Sequence, residues 1–315
     1  MNNILSVLSK EELTSFTLRA LYSEYGYEKY RMSKFEEYDL YVQNKDFLIS
    51  ENVITFTDTD GKLMALKPDV TLSIIKNSKD TLSGVMKVYY NENVYRVSKG
   101  TRTYKEIMQA GLECLGEVTD EVLTEVLYLA AKSLDVISEN NVLEISSLDV
   151  VTGVVNAFEL SEEGKKKLFI CLGEKNVAGV KAVCAEEGLT EAQTAIVCQL
   201  VTVYGEPSKV LDKLDVFKIN KSTTAAVESL KGILFELKKL GVSEKLCVDF
   251  SVVNDMKYYN GLAFKGFIEG IPTGILSGGQ YDKLMRKMKK SSNAIGFAVY
   301  LDELNKLSAR MEVTE

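Results

Sequence analysis

MKVYYNENVYRVSKGTRTYKEIMQAGLECLG, Met86 to Gly116, decides how the rest of the chain is read. Met86 to Arg96 is rich in Val and Tyr, which suits a strand. Ser98 to Lys105 carries Lys99, Gly100, Arg102 and Lys105 and suits an exposed turn. Ile107 to Leu115 is the return strand. Side chains alternate faces along a strand, so Gln109, Gly111 and Glu113 share one face and Met108, Ala110, Leu112 and Cys114 the other. The second set is apolar and packs on a core. The first places an amide and a carboxylate on either side of a glycine, which leaves room for something to lie on the sheet. Arg96 is within reach of the same surface. Two readings fit. One is a half-solvated sheet face. The other is a floor for a small zwitterion, with Glu113 for an ammonium and Arg96 for a carboxylate or phosphate.

The remaining composition is that of a globular chain. It has 315 residues, 46% of them hydrophobic and 26% charged, enough for one large domain or two smaller ones. No apolar run approaches a membrane span. The opening MNNILSVLSKEEL is too soon charged to be a secretory signal. Cys114, Cys171, Cys184, Cys198 and Cys247 form no C-x-x-C pair and read as reduced thiols of a cytoplasmic protein. The net charge of −7 does not suit a surface that tracks phosphates, which wants excess Lys and Arg. There is no histidine. Its absence removes Ser-His-Asp and Cys-His nucleophile schemes and the commonest metal ligand. No cofactor is expected.

Ser9-Lys10-Glu11-Glu12 has capping-box form and opens a helix that places Leu13, Phe16, Ala20 and Leu21 on one face. Gly26 stops it. Tyr27 to Arg31 reads as a short strand, and Phe35 to Asp39 as a polar-aromatic connection. Val53–Thr57 and Leu63–Leu66 flank Asp60-Gly61, a strong hairpin signal. Pro68 then forbids a continued central strand. Asp69 either caps a helix over Val70 to Lys76 or faces a cavity. Thr119 caps a helix from Asp120 to Ser138, and Val142 to Leu148 is a strand. From about Val150 to Lys245 helical patterns follow one another, which predicts a helical insertion (150–245) within a sheet domain made of 1–149 and 246–315. Its charged faces are either solvated or a partner surface. Strands return at Leu246–Val253 and Leu262–Glu269, with a turn over Gly270 to Gly274. Leu276 to Asp282 joins a short strand to a basic helix, Lys283–Lys290. Gly278 and Gly279 there mark either a close backbone approach to a ligand or a tight junction. Asn293 to Tyr300 is an apolar strand, and Leu301 to Arg310 a terminal helix. Mixed helices and hairpin-connected strands predict an α+β fold with a largely antiparallel sheet.

Five separated stretches, Gly26–Asp39, Thr55–Thr71, Tyr95–Gly116, Val253–Phe264 and Gly278–Leu304, together resemble the catalytic domain of class II aminoacyl-tRNA synthetases, specifically histidyl-tRNA synthetase. The resemblance covers nearly all of the chain outside the helical insertion. It implies an antiparallel sheet of about six strands flanked by helices, usually built as a homodimer. It also implies a histidine pocket. Asp69, Thr71, Arg96, Gln109, Glu113, Tyr258, Tyr259 and Tyr281 match its residues. Carboxylates suit the α-ammonium, the amide and Arg suit the carboxylate, and the phenols suit an imidazole.

Other positions depart from the synthetase pattern. Asn254 stands where an Arg precedes the Gly-Leu-Asp-Tyr-Tyr motif, and Lys257 replaces that motif's Asp. Glu303 stands where an Arg holds ATP, a reversal of sign. Ser98 replaces the Glu two residues after Arg96. No anticodon-binding domain follows the last motif. These departures argue against aminoacylation and against tRNA as a partner. Lys67-Pro68-Asp69-Val70-Thr71 is similar to the Arg-Pro-Asp-Met-Thr pattern of the regulatory subunits of short-form ATP phosphoribosyltransferase, where synthetases have Arg-Pro-Glu-Gly-Thr. Gly26-Tyr27, Phe35-Glu36 and Asp39 are similar as well, although the proline expected near Ser33 is absent. The resemblance implies a non-catalytic subunit that joins a separate catalytic subunit, as a homodimer within a hetero-oligomer, with L-histidine as effector. That enzyme begins histidine biosynthesis by joining ATP to phosphoribosyl pyrophosphate. A chain made when histidine is scarce has reason to contain none, and composition drift explains the same absence. The rival readings are a divergent histidyl-tRNA synthetase, a free-standing histidine-activating ligase, and a dimeric interaction protein with a dead pocket.

Overall fold

The computed structural model describes residues 7–48, 53–80, 83–98, 101–253 and 258–304. The chain opens with α1 (Lys10–Glu24), whose Ser9 and Glu12 form the expected capping box. Gly26, with φ of +78°, turns the chain into β1 (Glu28–Lys29). β2 (Phe35–Glu37) and α2 (Tyr38–Gln43) follow. β3 (Thr55–Thr57) and β4 (Leu63–Leu66) form the Asp60-Gly61 hairpin, and β4 ends before Pro68. α3 (Thr71–Asn77) leads to the long hairpin of β5 (Val85–Val97) and β6 (Tyr104–Gly116). α4 (Asp120–Ile137) and β7 (Asn141–Ser147) precede the helical stretch. That stretch holds α5 (Leu148–Asn156), α6 (Glu162–Gly173), α7 (Val177–Glu186), α8 (Glu191–Thr202), the two-residue β8 (Tyr204–Gly205), α9 (Pro207–Val210) and α10 (Lys221–Lys239). The chain then returns through β9 (Leu246–Asp249), β10 (Asn260–Ile268), β11 (Ile271–Gln280), α11 (Asp282–Lys287) and β12 (Asn293–Tyr300).

Among the described residues, nine strands form one sheet in the order β1-β5-β6-β12-β11-β10-β7-β9-β8, and β2-β4-β3 form a smaller one. The inner run from β5 to β7 is antiparallel throughout, six strands as the resemblance implies. β1 on β5 and β9 on β7 are parallel additions.

The alternation read in β6 sets the two faces of the sheet. Ala110, Leu112 and Cys114 are buried in the main core, with α4 residues Leu123, Leu127 and Leu134 above them. Burying each such leucine contributes roughly 1.5–3 kcal/mol relative to exposure. α10 packs on α4 and α5, so the helical stretch shares this core with the sheet. On the opposite face, α3, α11 and the small sheet close a second core around Val88, Tyr90, Leu72 and Leu284.

Three local expectations are corrected. α1 buries Thr14, Ser15, Leu18 and Tyr22. Leu13 and Phe16 are 43% and 52% exposed, and Ala20 is exposed. The cause is polar: the Tyr22 hydroxyl pairs with Ser133 Oγ on α4 at 2.9 Å. Phe35 to Asp39 is a strand followed by a helix start, because β2 pairs with β4. The turn over Gly270 to Gly274 is shorter than expected, since β11 begins at Ile271 and runs through Gly278 and Gly279 to Gln280. The expected helix from Leu301 lies mostly outside the described residues; Leu301–Leu304 is a 3-10 turn. No helix among the described residues is long and apolar enough to cross a membrane.

Candidate functional site

A cavity of about 470 Å³ opens on the second face of the sheet. Glu113, Gly111 and Gln109 of β6 face it in sequence, and their β12 partners are Gly296, Ala298 and Tyr300. Gly279 and Ser277 continue the first two rows on β11. All eight residues matched to a histidine pocket line this one cavity. Asp69 and Thr71 come from the β4–α3 junction, Arg96 from β5, Gln109 and Glu113 from β6. Tyr258 and Tyr259 precede β10, and Tyr281 precedes α11.

Glu113 is the most buried acid lining the cavity, 2% exposed. It accepts the Thr71 hydroxyl at 2.8 Å and the Tyr281 hydroxyl at 2.6 Å. Burial pushes its carboxyl up to about 8, against these two donors, and nearby Asp69 adds to the rise. The carboxyl has room because its neighbour is glycine. A Cβ on Gly296 would lie 1.7 Å from Glu113 Oε2. Gly111 is constrained similarly, by the Phe297 carbonyl at 2.2 Å.

Asp69 fulfils both readings offered by its sequence. Its Oδ1 accepts the Leu72 N–H at 2.9 Å, capping α3, and its buried carboxyl also lines the cavity. Burial raises its pKa. Arg96 donates from Nε to the Pro68 carbonyl at 3.0 Å, which fixes its guanidinium at the other end. Gln109 is 3% exposed and lines the cavity.

The aromatic wall is a set of edge and tilted ring contacts. Tyr258 meets Tyr259 at 4.8 Å between centroids, and Tyr281 and Phe47 at 6.1 Å each. Behind the wall of the cavity, Lys67 is sealed with none of its side chain exposed, and it donates to Glu92 at 2.9 Å. Burial lowers its pKa against that partner. Glu92 is in turn the β5 partner of Gln109.

The arrangement has polarity. Acceptors gather at the Glu113 end, donors at the Gln109 and Arg96 end, and rings stand along the side. This suits a small molecule carrying an ammonium, a carboxylate and a flat side chain. Among the described residues, no group of three His, Cys, Asp or Glu is placed to hold a metal. Sequence reading missed Tyr90, Lys265, Ser277 and Tyr300, which also line the cavity. Alternation along one strand does not reveal them. Their place follows from which strands become neighbours, above all from β12 lying between β6 and β11.

The sequence profile of the family described as histidyl-tRNA synthetase matches residues 7–304. The chain belongs to the histidyl-tRNA synthetase family. Within that family it is 28% identical over 287 residues to the ATP phosphoribosyltransferase regulatory subunit of Acetivibrio thermocellus, covering 90% of this chain and 68% of the relative. Among solved structures, its fold is like that of an ATP phosphoribosyltransferase regulatory subunit/histidyl-tRNA synthetase from Bacillus halodurans. The TM-score is 0.81 at 21% identity, over 94% of this chain and 78% of that one. A chain of the ATP phosphoribosyl transferase (HisG:HisZ) complex from Thermotoga maritima matches with TM-score 0.71 at 16% identity, over 93% and 98% of the two chains. At such identities the two structures speak for the fold.

The positions that depart from the family's catalytic pattern fall outside the cavity walls or outside the described residues. Ser98 accepts the Arg102 N–H in the β5–β6 turn. Glu303 accepts the Thr273 hydroxyl at 3.0 Å beyond the end of β12. Asn254 and Lys257 lie outside the described residues.

Proposed function

We propose that this chain is the regulatory, non-catalytic subunit of an ATP phosphoribosyltransferase, acting in the first step of histidine biosynthesis. The observation that carries the reading is the match along 90% of the chain to a relative of that name. A fold neighbour from an ATP phosphoribosyl transferase (HisG:HisZ) complex supports the same partner, a separate catalytic subunit. The chain activates that subunit and supports feedback by L-histidine. It works as a homodimer within a hetero-oligomer in the cytoplasm. The polarised cavity supports histidine as its ligand: Glu113 and Asp69 take the ammonium, Gln109 and Arg96 the carboxylate, and Tyr258, Tyr259 and Tyr281 surround the imidazole. Residues 150–245 act as an insertion between β7 and β9, adjacent strands of the sheet.

Feedback requires that histidine favour one conformation of the complex; equal affinity for both states would regulate nothing. The test is co-purification with a short catalytic subunit, followed by phosphoribosyl transfer assayed with and without histidine. Activation by this chain and inhibition by histidine are expected. Failure to associate or to change the activity overturns the reading. The family profile itself keeps a second reading in play, a histidine-activating ligase. Glu303 in place of a phosphate-facing cation weighs against it. Histidine-dependent exchange of pyrophosphate into ATP by the pure chain would establish it.

A further inference from the structure

The floor of the cavity changes size from one end to the other. On β12 the residues facing it are Gly296, Ala298 and Tyr300, in order away from Glu113. On β11 they are Gly279 and then Ser277. The floor is therefore glycine beside the acid end, where the Glu113 carboxyl and the Tyr259 ring take up the space, and a phenol stands at the far end. Tyr300 is the direct β12 partner of Gln109. Its hydroxyl is held by Ser277 Oγ at 2.9 Å, although Ser277 pairs in register with Ala298. The ring thus leans back over β11 and lies across the floor instead of standing at its edge.

The other flank of Gln109 is occupied as well. Its β5 partner is Glu92, tied to the sealed Lys67. The Gln109 amide is consequently bracketed, by an ion pair on one side and by an anchored ring on the other. A group that meets Gln109 has space for its own two oxygens. A substituent extending beyond them would run into Tyr300.

We infer that Tyr300 is a specificity-determining residue that limits the cavity to amino acids with a free, unsubstituted carboxylate. Esters, N-substituted amides and acyl anhydrides of the same amino acid are excluded by the bulk of the ring. The inference rests on the amino-acid reading of the cavity given above, with the carboxylate at Gln109 and Arg96. It adds a physical account of why a histidine bound here would stay unactivated: the space that a group joined to the carboxyl would need is already filled.

The test is isothermal calorimetry on the full chain with L-histidine, L-histidinamide and L-histidine β-naphthylamide. Histidinamide lacks the carboxylate charge but adds little bulk. The ratio of its affinity to that of the naphthylamide therefore isolates size. In the wild-type chain the naphthylamide should bind at least 100-fold more weakly than histidinamide. Tyr300→Ala should shrink that ratio by at least tenfold. Tyr300→Phe keeps the ring, loses the bond to Ser277, and should shrink it by less than threefold. An unchanged ratio in Tyr300→Ala, with histidine still bound, overturns this inference and leaves the reading of the site standing. Equal ratios in the Phe and Ala variants also overturn it, because the hydroxyl and not the ring would then be responsible. A wild-type chain that binds no histidine overturns both. Thermal melts of each variant distinguish lost selectivity from lost folding.

Discussion

Glu113 shows how burial at a single position sets the chemistry of the cavity. With its carboxyl pushed up to about 8, the empty site holds a mostly neutral acid at pH 7. An incoming ammonium favours the carboxylate and so expels a proton. Histidine affinity should rise between pH 6 and 8, and the heat of binding at pH 7 should scale with the ionisation enthalpy of the buffer. Buffer-independent heats would remove Glu113 from the ammonium's contacts. The sign for stability is the reverse. The folded value lies above the ordinary 4.5, so this group's contribution is full below that pH and is lost as pH rises through about 8. Glu113→Gln should therefore stabilise the empty chain above pH 8, by on the order of a few kcal/mol, while weakening histidine binding at least tenfold. Gly296 is the complementary case. Gly296→Ala forces the carboxyl aside and should cost about 1–3 kcal/mol in denaturant melts. It should also abolish calorimetrically detectable histidine binding.

At the scale of elements, α3 is the fragile piece. Its seven residues are too few to be helical alone, so its cap and packing decide its stability. Asp69→Ala should lower stability by about 1 kcal/mol, read as a shift in urea midpoint at constant slope, whereas Asp69→Asn should keep the cap and lose mainly ligand affinity. Elements with a strong internal period were legible in the sequence. The β5–β6 hairpin, the capping box of α1 and all of β12 emerge where the residues place them. The buried face of α1 was not legible, because Tyr22 and Ser15 are buried through hydroxyl groups and the apolar Phe16 is left outside. β11 was obscured by its glycines. Their low strand propensity is overridden by neighbours that need the space: a Cβ on Gly278 would meet the Gly296 carbonyl, and one on Gly279 the ring of Tyr259. Of the site, the β5–β6 hairpin revealed Gln109, Glu113 and Arg96, and the break at Pro68 offered Asp69. The other matched residues came from the family resemblance. Tyr300 needed the strand order, which no local pattern carries.

Across the described residues, the nine-stranded sheet carries a helical core on one face and the cavity on the other. The helical stretch between β7 and β9 is fastened to it twice. α10 buries Leu230, Ile233 and Leu237 in the common core. Lys175, in the α6–α7 turn, reaches Asp249 of β9 at 2.7 Å and lies 4.3 Å from the centre of the Tyr204 ring. Such sharing predicts one cooperative transition. Far-ultraviolet and near-ultraviolet circular dichroism should give coincident urea curves, and two separated transitions would mean that the helical stretch folds on its own. The sealed Lys67 gives the molecule a further property. An acylating reagent reaches surface amines at once, but it can modify this one only when the layer between the two sheets swings open. Under excess reagent, the mass increment on the Lys67 peptide should lag far behind all others. Its half-time becomes a native stopwatch for how often the packing around Lys67 opens, readable with no dye and no mutation.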